Sequence, residues 1–419
     1  MIYLDHNATT PVDPRVVEVM LPLFTERFAN PASKHAPGQE ATRIVERARR
    51  EVASLAGARP REIVFTSGAT EAANLAIGGV LATAEPGRRR ILVGATEHPA
   101  VLGAADAAVS AGSAVSADGT TAAERIAVHP DGTVDVDDLR RRLGPDVALV
   151  AVMAANNETG AVNDPRPLVE AARSAGRCCC ADVTQALGRV PVEFERTGVD
   201  LAVSSAHKLY GPKGVGALIA SKDAWSRLAP RVHGGGQERG LRAGTLNTAG
   251  IAGFGAAARI AAESMADDGT RQRALVALLT ELLVKRLGPG AVELNGPVRA
   301  RLPNTVNLRF VGAGADEVQA CAPRVAISAG SACSGGGDEP SHVLRAMGRT
   351  ATEARESLRF SLGRATTTEE IRTAADLVAR AVLRVRSLSQ STPIQDEVRD
   401  DNRASSNSLN RGSAASKES

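Results

Sequence analysis

No apolar run in this chain of 419 residues is long enough to cross a bilayer, which takes about 20 residues. The longest, such as 145 to 155, carry a charge or stop short. An excess of basic charge is also missing. Lys and Arg number 50 against 47 Asp and Glu, a net charge of +3, and most basic runs are broken by acids or apolar residues. Neither a nucleic-acid coat nor a polybasic membrane anchor is expected from that balance. The amino terminus, MIYLDHNATTP, lacks the basic flank and apolar stretch of an export signal, so a cytoplasmic location is expected. Cysteine is scarce, with five residues in a chain too large to need covalent staples. An odd count in such a chain argues against a disulfide framework and leaves the purpose of each thiol to be found. Internal repeats are absent, as are Cys and His at zinc-binding spacing.

What the chain does contain is 43% hydrophobic and 23% charged residues, enough for one large or two medium domains with substantial cores. Helical and strand-like segments alternate, the pattern of an α/β protein with a mostly parallel sheet. Asp13 followed by Pro14 predicts a helix to about Phe28. A second, charged helix is predicted over 38–55, with Ile44, Val45, Val52 and Leu55 on its apolar side. Buried strands are predicted near 62, 90, 147, 178 and 200, each ending where polar residues begin. Carboxyl ends of strands line the ligand crevice in open α/β sheets, so those polar residues are the candidates for chemistry. From about 250 the pattern changes to a long Ala-rich helix through Lys285, strands near 304–310 and 324–328, and helices near 339–347 and 367–386. We expect a large cofactor-binding domain over 13–255, a smaller α+β domain made of 1–12 and 256–388, and a disordered tail over 389–419, which is rich in Ser, Asn and charge.

The segment SSAHKLYGPKGVGAL holds Lys208 just after an apolar strand, with Ser205 and His207 beside it. An amine so placed can form a Schiff base with an aldehyde cofactor, although a solvated Lys at a strand end would read the same way. In FTSGATEAANLAI, Gly68, Ala69 and Thr70 open a helix after a strand. Backbone N–H groups there attract a phosphate, or the motif is an ordinary cap. Asp182 ends CCCADVTQALG, where its carboxylate suits a protonated pyridine nitrogen, a helix cap or a core salt bridge. His98 in ATEHPAV is placed to stack on a flat ring or to serve structurally.

Together the phrases SGATE, EHPAV, NNETG, DVTQALG, SSAHKLYGPKG, GGGQERGLRAGT and SAGSACSGGGDEPSHVLRAMG, followed by LRFSLGR, resemble the cysteine desulfurases, which are class V, fold-type I pyridoxal-phosphate transferases. The resemblance covers residues 1 to about 387. It implies Lys208 as the Schiff-base lysine, Asp182 as partner of the pyridinium nitrogen, His98 stacked on the ring and Gln185 as donor to the phenolate oxygen. Ala69, Thr70, Ser205 and His207 match phosphate ligands, and Thr245 matches a residue that reaches the partner subunit's phosphate, which implies a homodimer. Asn157, also near the cofactor, and Arg359 match the groups that hold the substrate carboxylate. Ala206 stands where many members have Gly.

Cys333 is the distinguishing residue, in a Ser- and Gly-rich loop expected to swing a thiol toward the cofactor and away. The implied reaction takes L-cysteine to L-alanine: Lys208 moves the α-proton, His98 takes the substrate thiol proton, and Cys333 attacks the substrate sulfur to become a persulfide. An aminotransferase, a selenocysteine lyase and a non-catalytic sulfur-acceptor scaffold are the alternatives. The acceptor could be an iron–sulfur scaffold, with Cys333 a transient cluster ligand and no intrinsic metal, or a tRNA- or DNA-thiolation system. Cys178, Cys179 and Cys180 alternate between strand faces and are expected to be buried, as is Cys321 to be structural. His35, His233 and His342 sit near Gly or Pro turns and are assigned no role.

Overall fold

Every apolar run predicted to be a strand before residue 250 is one in the computed structural model, which describes residues 1–112, 114, 123–329 and 339–391. After the short β1 (Ile2–Tyr3) come β2 (Ile63–Thr66), β3 (Arg90–Gly94), β4 (Glu124–Ile126), β5 (Val147–Ala151), β6 (Cys178–Asp182), β7 (Leu201–Ser205) and β8 (Gly216–Ala220). These last seven form one sheet in the order β2-β8-β7-β6-β5-β3-β4. Only β8 runs against its neighbours. The sheet is therefore mostly parallel, as expected, and its strands are buried on both faces. Side-chain alternation is visible in the cysteines: Cys178 and Cys180 pack on one face with Leu75, Val101 and Leu218, while Cys179 packs on the other with Phe65, Leu168 and Phe254. Burial pushes the Cys179 thiol up to about 12 and those of Cys178 and Cys180 well above their ordinary value.

A second sheet joins β9 (Val292–Asn295), β10 (Thr305–Phe310), β12 (Ser328–Ala329) and β13 (Ser357–Ser361) in the antiparallel order β12-β13-β10-β9. Between β10 and β12, β11 (Val325–Ala326) pairs with β1 instead. The strand predicted over 324–328 is thus two short ones that serve different sheets. Helix Thr248–Leu287 links the layers, capped by Asn247, whose Oδ1 accepts from Gly250 N–H at 3.0 Å. Its first turns are buried all round and lie against helix Ala36–Ala56 so closely that a Cβ on Gly255 would fall 2.5 Å from Ala48 Cα. Its later turns place Leu275, Leu279 and Leu283 in the core of the second sheet with Phe310, Phe360 and Val378.

Two helices depart from expectation. Pro22 has no N–H to continue the ladder, so the helix predicted to Phe28 is split into Pro14–Met20 and Pro22–Thr25. The last helix runs Thr368–Ser391, reaching into the stretch expected to be disordered; 392–419 lie outside the described residues.

One ion pair ties the segment after β8 to the sheet. Arg49 Nη2 and Nη1 donate to Glu238 Oε1 and Oε2 at 2.7 and 2.9 Å, and Phe65 N–H donates to Glu238 Oε2 at 2.8 Å. Both side chains are buried. Removing Glu238 leaves the buried Arg49 guanidinium with only the half-exposed Glu46 carboxylate and Ile63 O as partners, and breaking such a pair costs up to about 3–5 kcal/mol. Glu238→Ala is expected to lower the unfolding free energy by that amount, as read from urea melts.

Candidate active site

A cavity of about 460 Å³ opens at the carboxyl end of the seven-stranded sheet. Because β8 runs backwards, its first residue lies beside the last residues of β2 and β7: Gly216 pairs with both Thr66 and Ser205. A Cβ on Gly216 would sit 2.6 Å from Gly68 Cα and 2.5 Å from Ser204 O. Only glycine there lets the turn after β2 fold across the sheet end. That turn starts helix Ala69–Thr83, whose N-cap, Gly68, offers no capping side chain. The first N–H groups of this helix therefore carry the positive end of the dipole with no side-chain cap. Thr70, Ser205 and His207 line the same cavity.

Lys208 follows β7 in a single 3-10 turn, Ala206–Lys208. Its Nζ donates to Asn7 O at 2.6 Å and Ala8 O at 2.8 Å. The amino-terminal segment thus crosses from the second sheet to the lysine. It is fixed by Thr10, whose N–H and Oγ1 donate to His207 O at 3.1 and 2.9 Å. Asn7 holds the junction, donating through Nδ2 to Asn157 O at 3.0 Å and Thr305 Oγ1 at 2.9 Å. Its carbonyl also accepts from Gln185 Nε2 at 3.0 Å.

The remaining expected residues converge on this cavity. Asp182 ends β6, with Oδ1 accepting from Thr184 N–H at 2.8 Å. His98 caps helix Pro99–Ser110, its Nδ1 accepting from Ala100 N–H at 3.1 Å. Burial lowers its pKa, against the pull of Asp182, so the ring is neutral. A neutral ring that accepts at Nδ1 carries its proton on Nε2. In this state His98, which lines the cavity, would take up a thiol proton only by giving up the cap. Burial, with Lys208 and Lys213 nearby, pushes His207 down to about 4. Asn157 and Arg359 are both buried and joined: Arg359 Nη1 donates to Asn157 O at 3.1 Å and Nη2 to Asp5 Oδ1 at 2.6 Å. Arg359 Nε has no partner among the described residues.

Thr245 does not join this group. It is exposed and lines a separate cavity of about 490 Å³ with Asn30, Pro31 and Leu246. Cys333 lies outside the described residues. The methyl of Ala206 points into the core rather than toward the cavity, 2.8 Å from where a Cβ on Gly211 would be. His35 is a helix cap, with Nδ1 accepting from Gly38 N–H at 3.2 Å, and His233 is exposed. His342 Nε2 meets Glu97 O at 3.0 Å, beside His98.

Sequence reasoning missed several groups at or behind the cavity. Asn7, Ala8 and Arg189 support Lys208 and Gln185. Glu97 is buried, accepts from Met153 N–H through Oε1, and has its carboxyl pushed well up by burial. The amino-terminal phrase LDHNATT was the one available signal for Asn7, since polar residues clustered there without helical or strand spacing.

The class-V aminotransferase family model matches residues 2–373. Cysteine desulfurase IscS of Methylococcus capsulatus is 43% identical over 389 residues, spanning 93% of this chain and 94% of that protein. A solved NifS-like protein superposes with a TM-score of 0.83 at 32% identity, over 91% of this chain and 99% of its own. SspA, solved in complex with cysteine, does so with a TM-score of 0.75 at 31% identity, over 86% and 99%. With these likenesses spanning both sheets and the cavity between them, the chain belongs to the class-V aminotransferase family and, within it, to the cysteine desulfurases.

Proposed function

We propose that this chain converts L-cysteine to L-alanine and passes the sulfur on as a persulfide of Cys333, with pyridoxal 5′-phosphate held in the cavity at the end of the sheet. The observation that carries the reading is the meeting, in one cavity, of the Lys208 amine with an uncapped helix start and Arg359. The residues suit the cofactor. The N–H groups that open helix Ala69–Thr83, with Thr70, Ser205 and neutral His207, supply donors for a phosphate. Asp182 supplies a carboxylate for a protonated ring nitrogen, and His98 lies on the cavity wall for stacking. When bound, the cofactor supplies a sink for the electron pair released at the substrate α-carbon.

The chain's own groups do the rest. Arg359, with an unpartnered Nε, and Asn157 hold the substrate carboxylate. Lys208 removes the α-proton and returns a proton to carbon. His98 donates from Nε2 toward the substrate sulfur. The Cys333 thiolate attacks that sulfur; an S–S bond forms as the C–S bond breaks, its electron pair passes to carbon, and protonation gives alanine.

A homodimer accounts for Thr245, which is exposed and outside its own subunit's cavity. Val17, Leu21, Phe24 and Phe28, on and just beyond the two short helices near the amino terminus, are exposed apolar side chains, a surface suited to a second copy. Among the described residues no helix is long and apolar enough to cross a membrane. A reducing cytoplasm suits a thiol that must stay free between turnovers, and the product persulfide suits a sulfur-acceptor protein such as an iron–sulfur scaffold. Purified protein given L-cysteine is expected to yield alanine and sulfur, as protein persulfide plus sulfide, in equal amounts. Amino transfer to a keto acid without sulfur release, or turnover confined to selenocysteine, would overturn the reading.

A further inference from the structure

Arg189 is a buried cation set behind the lysine, bonded to carbonyl and amide oxygens and in no ion pair among the described residues, with Asp268 on the wall of the same small cavity. Its guanidinium donates to Gln185 O at 3.0 Å and to Gln185 Oε1, and on its other side to Lys208 O at 3.0 Å and His6 O at 3.4 Å. Burial, assisted by nearby Arg359, pulls its pKa down to about 10, still charged at neutral pH.

A guanidinium has donors and no acceptor. The Gln185 atom that faces it must be Oε1, which turns the amide NH2 the other way, where Nε2 donates to Asn7 O at 3.0 Å. Reversing the amide would set donor against donor at Arg189 and acceptor against acceptor at Asn7. Asn7 cannot yield, because Asn157, Thr305 and Asn304 hold its side chain. One hydrogen of the Gln185 NH2 serves Asn7 O, leaving the second for the cavity that Gln185 lines.

We infer that Arg189 is a positioning residue for the cofactor: it locks the Gln185 amide with its NH2 turned toward the cavity and sets a positive charge behind the lysine attachment point. The inference rests on the reading that Lys208 carries the cofactor and Gln185 faces its phenolic oxygen. A fixed donor and a fixed positive charge both favour negative charge on that oxygen, and both disfavour a proton on the nitrogen that joins Lys208 to the cofactor. The other charged or titratable groups lining the cavities at Lys208 are His98, His207, Lys213, Asp182, Glu71 and Arg359 on one side and Tyr210, Asp268 and Arg364 on the other. All stay in place when Arg189 alone is changed.

The test is a pH titration of the bound cofactor's visible absorption band in the purified holoprotein, with no substrate present. Arg189→Met is expected to raise the midpoint by about one unit, a tenfold gain in proton affinity. Arg189→Lys, which keeps a charge and a donor for Oε1, is expected to return the midpoint toward that of the unaltered protein. If Arg189→Met does not fold, Arg189→Gln, which removes the charge but keeps a polar side chain at that position, is expected to show the upward shift. A midpoint unchanged in a folded Arg189→Met or Arg189→Gln protein overturns the inference. Lys208→Ala, run alongside, separates the two failures: a titrating band that survives it overturns the underlying site reading, whereas its loss together with an unchanged Arg189→Met midpoint overturns the role of Arg189 alone.

Discussion

Cys333→Ser is expected to end sulfur release from cysteine while leaving the cofactor's absorption intact. A serine oxygen in place of the thiolate cannot form the persulfide, and no other cysteine is suited to replace it. Cys178, Cys179 and Cys180 are buried in the seven-stranded sheet, where burial pushes their thiols far toward the protonated form. Such thiols lack both the charge and the access that nucleophiles need. Cys321 ends helix Ala315–Cys321 against the core of the second sheet and does not line the cavity at Lys208. The check is a paired assay of alanine and sulfide alongside an absorption spectrum. Sulfide release retained by Cys333→Ser would move the role to another group.

Lys208→Ala is expected to remove the covalent cofactor band and to slow turnover by roughly 10²–10⁴-fold or more, the loss typical of a positioned proton-transfer group. The fold is expected to survive. Around residue 208, Arg189 donates to the main-chain carbonyl rather than to the side chain, and Thr10 is bonded to the carbonyl of His207. What disappears is the amine on Asn7 O and Ala8 O. Phosphate donors remain at the start of helix Ala69–Thr83, so the cofactor is expected to bind without a covalent bond and to be removable by gel filtration. A stable covalent band in Lys208→Ala would assign the attachment elsewhere.

Much of the site was legible because its signals are local. Ser205, His207 and Lys208 sit within four residues at the end of an apolar run, and Ala69 and Thr70 open a helix directly after another. Asp182 likewise ends the strand that carries the three cysteines. The supporting shell was not legible, because its partners are far apart in sequence: Asn7 meets Gln185 across 178 residues, and Glu238 meets Arg49 across 189. Nothing in the spacing of either residue announces those contacts. The split at Pro22 was readable from proline's missing donor, whereas the division of 324–328 between two sheets depends on β1, which comes from the other end of the chain. Thr245 could be placed near a phosphate only by resemblance, since within one subunit it lies apart from Lys208.

The contact between Asp5 and Arg359 spans 354 residues. Closing so long a loop is slow and entropically costly, and it comes late in folding. A growing chain on the ribosome carries Lys208 and the start of helix Ala69–Thr83 well before Arg359 has been made. Arg359 meets its anchor, Asp5, only once β13 has emerged and settled beside residues 4 and 5. A chain halted before β13 therefore lacks both the Arg359 side chain and the strand that bridges to Asp5.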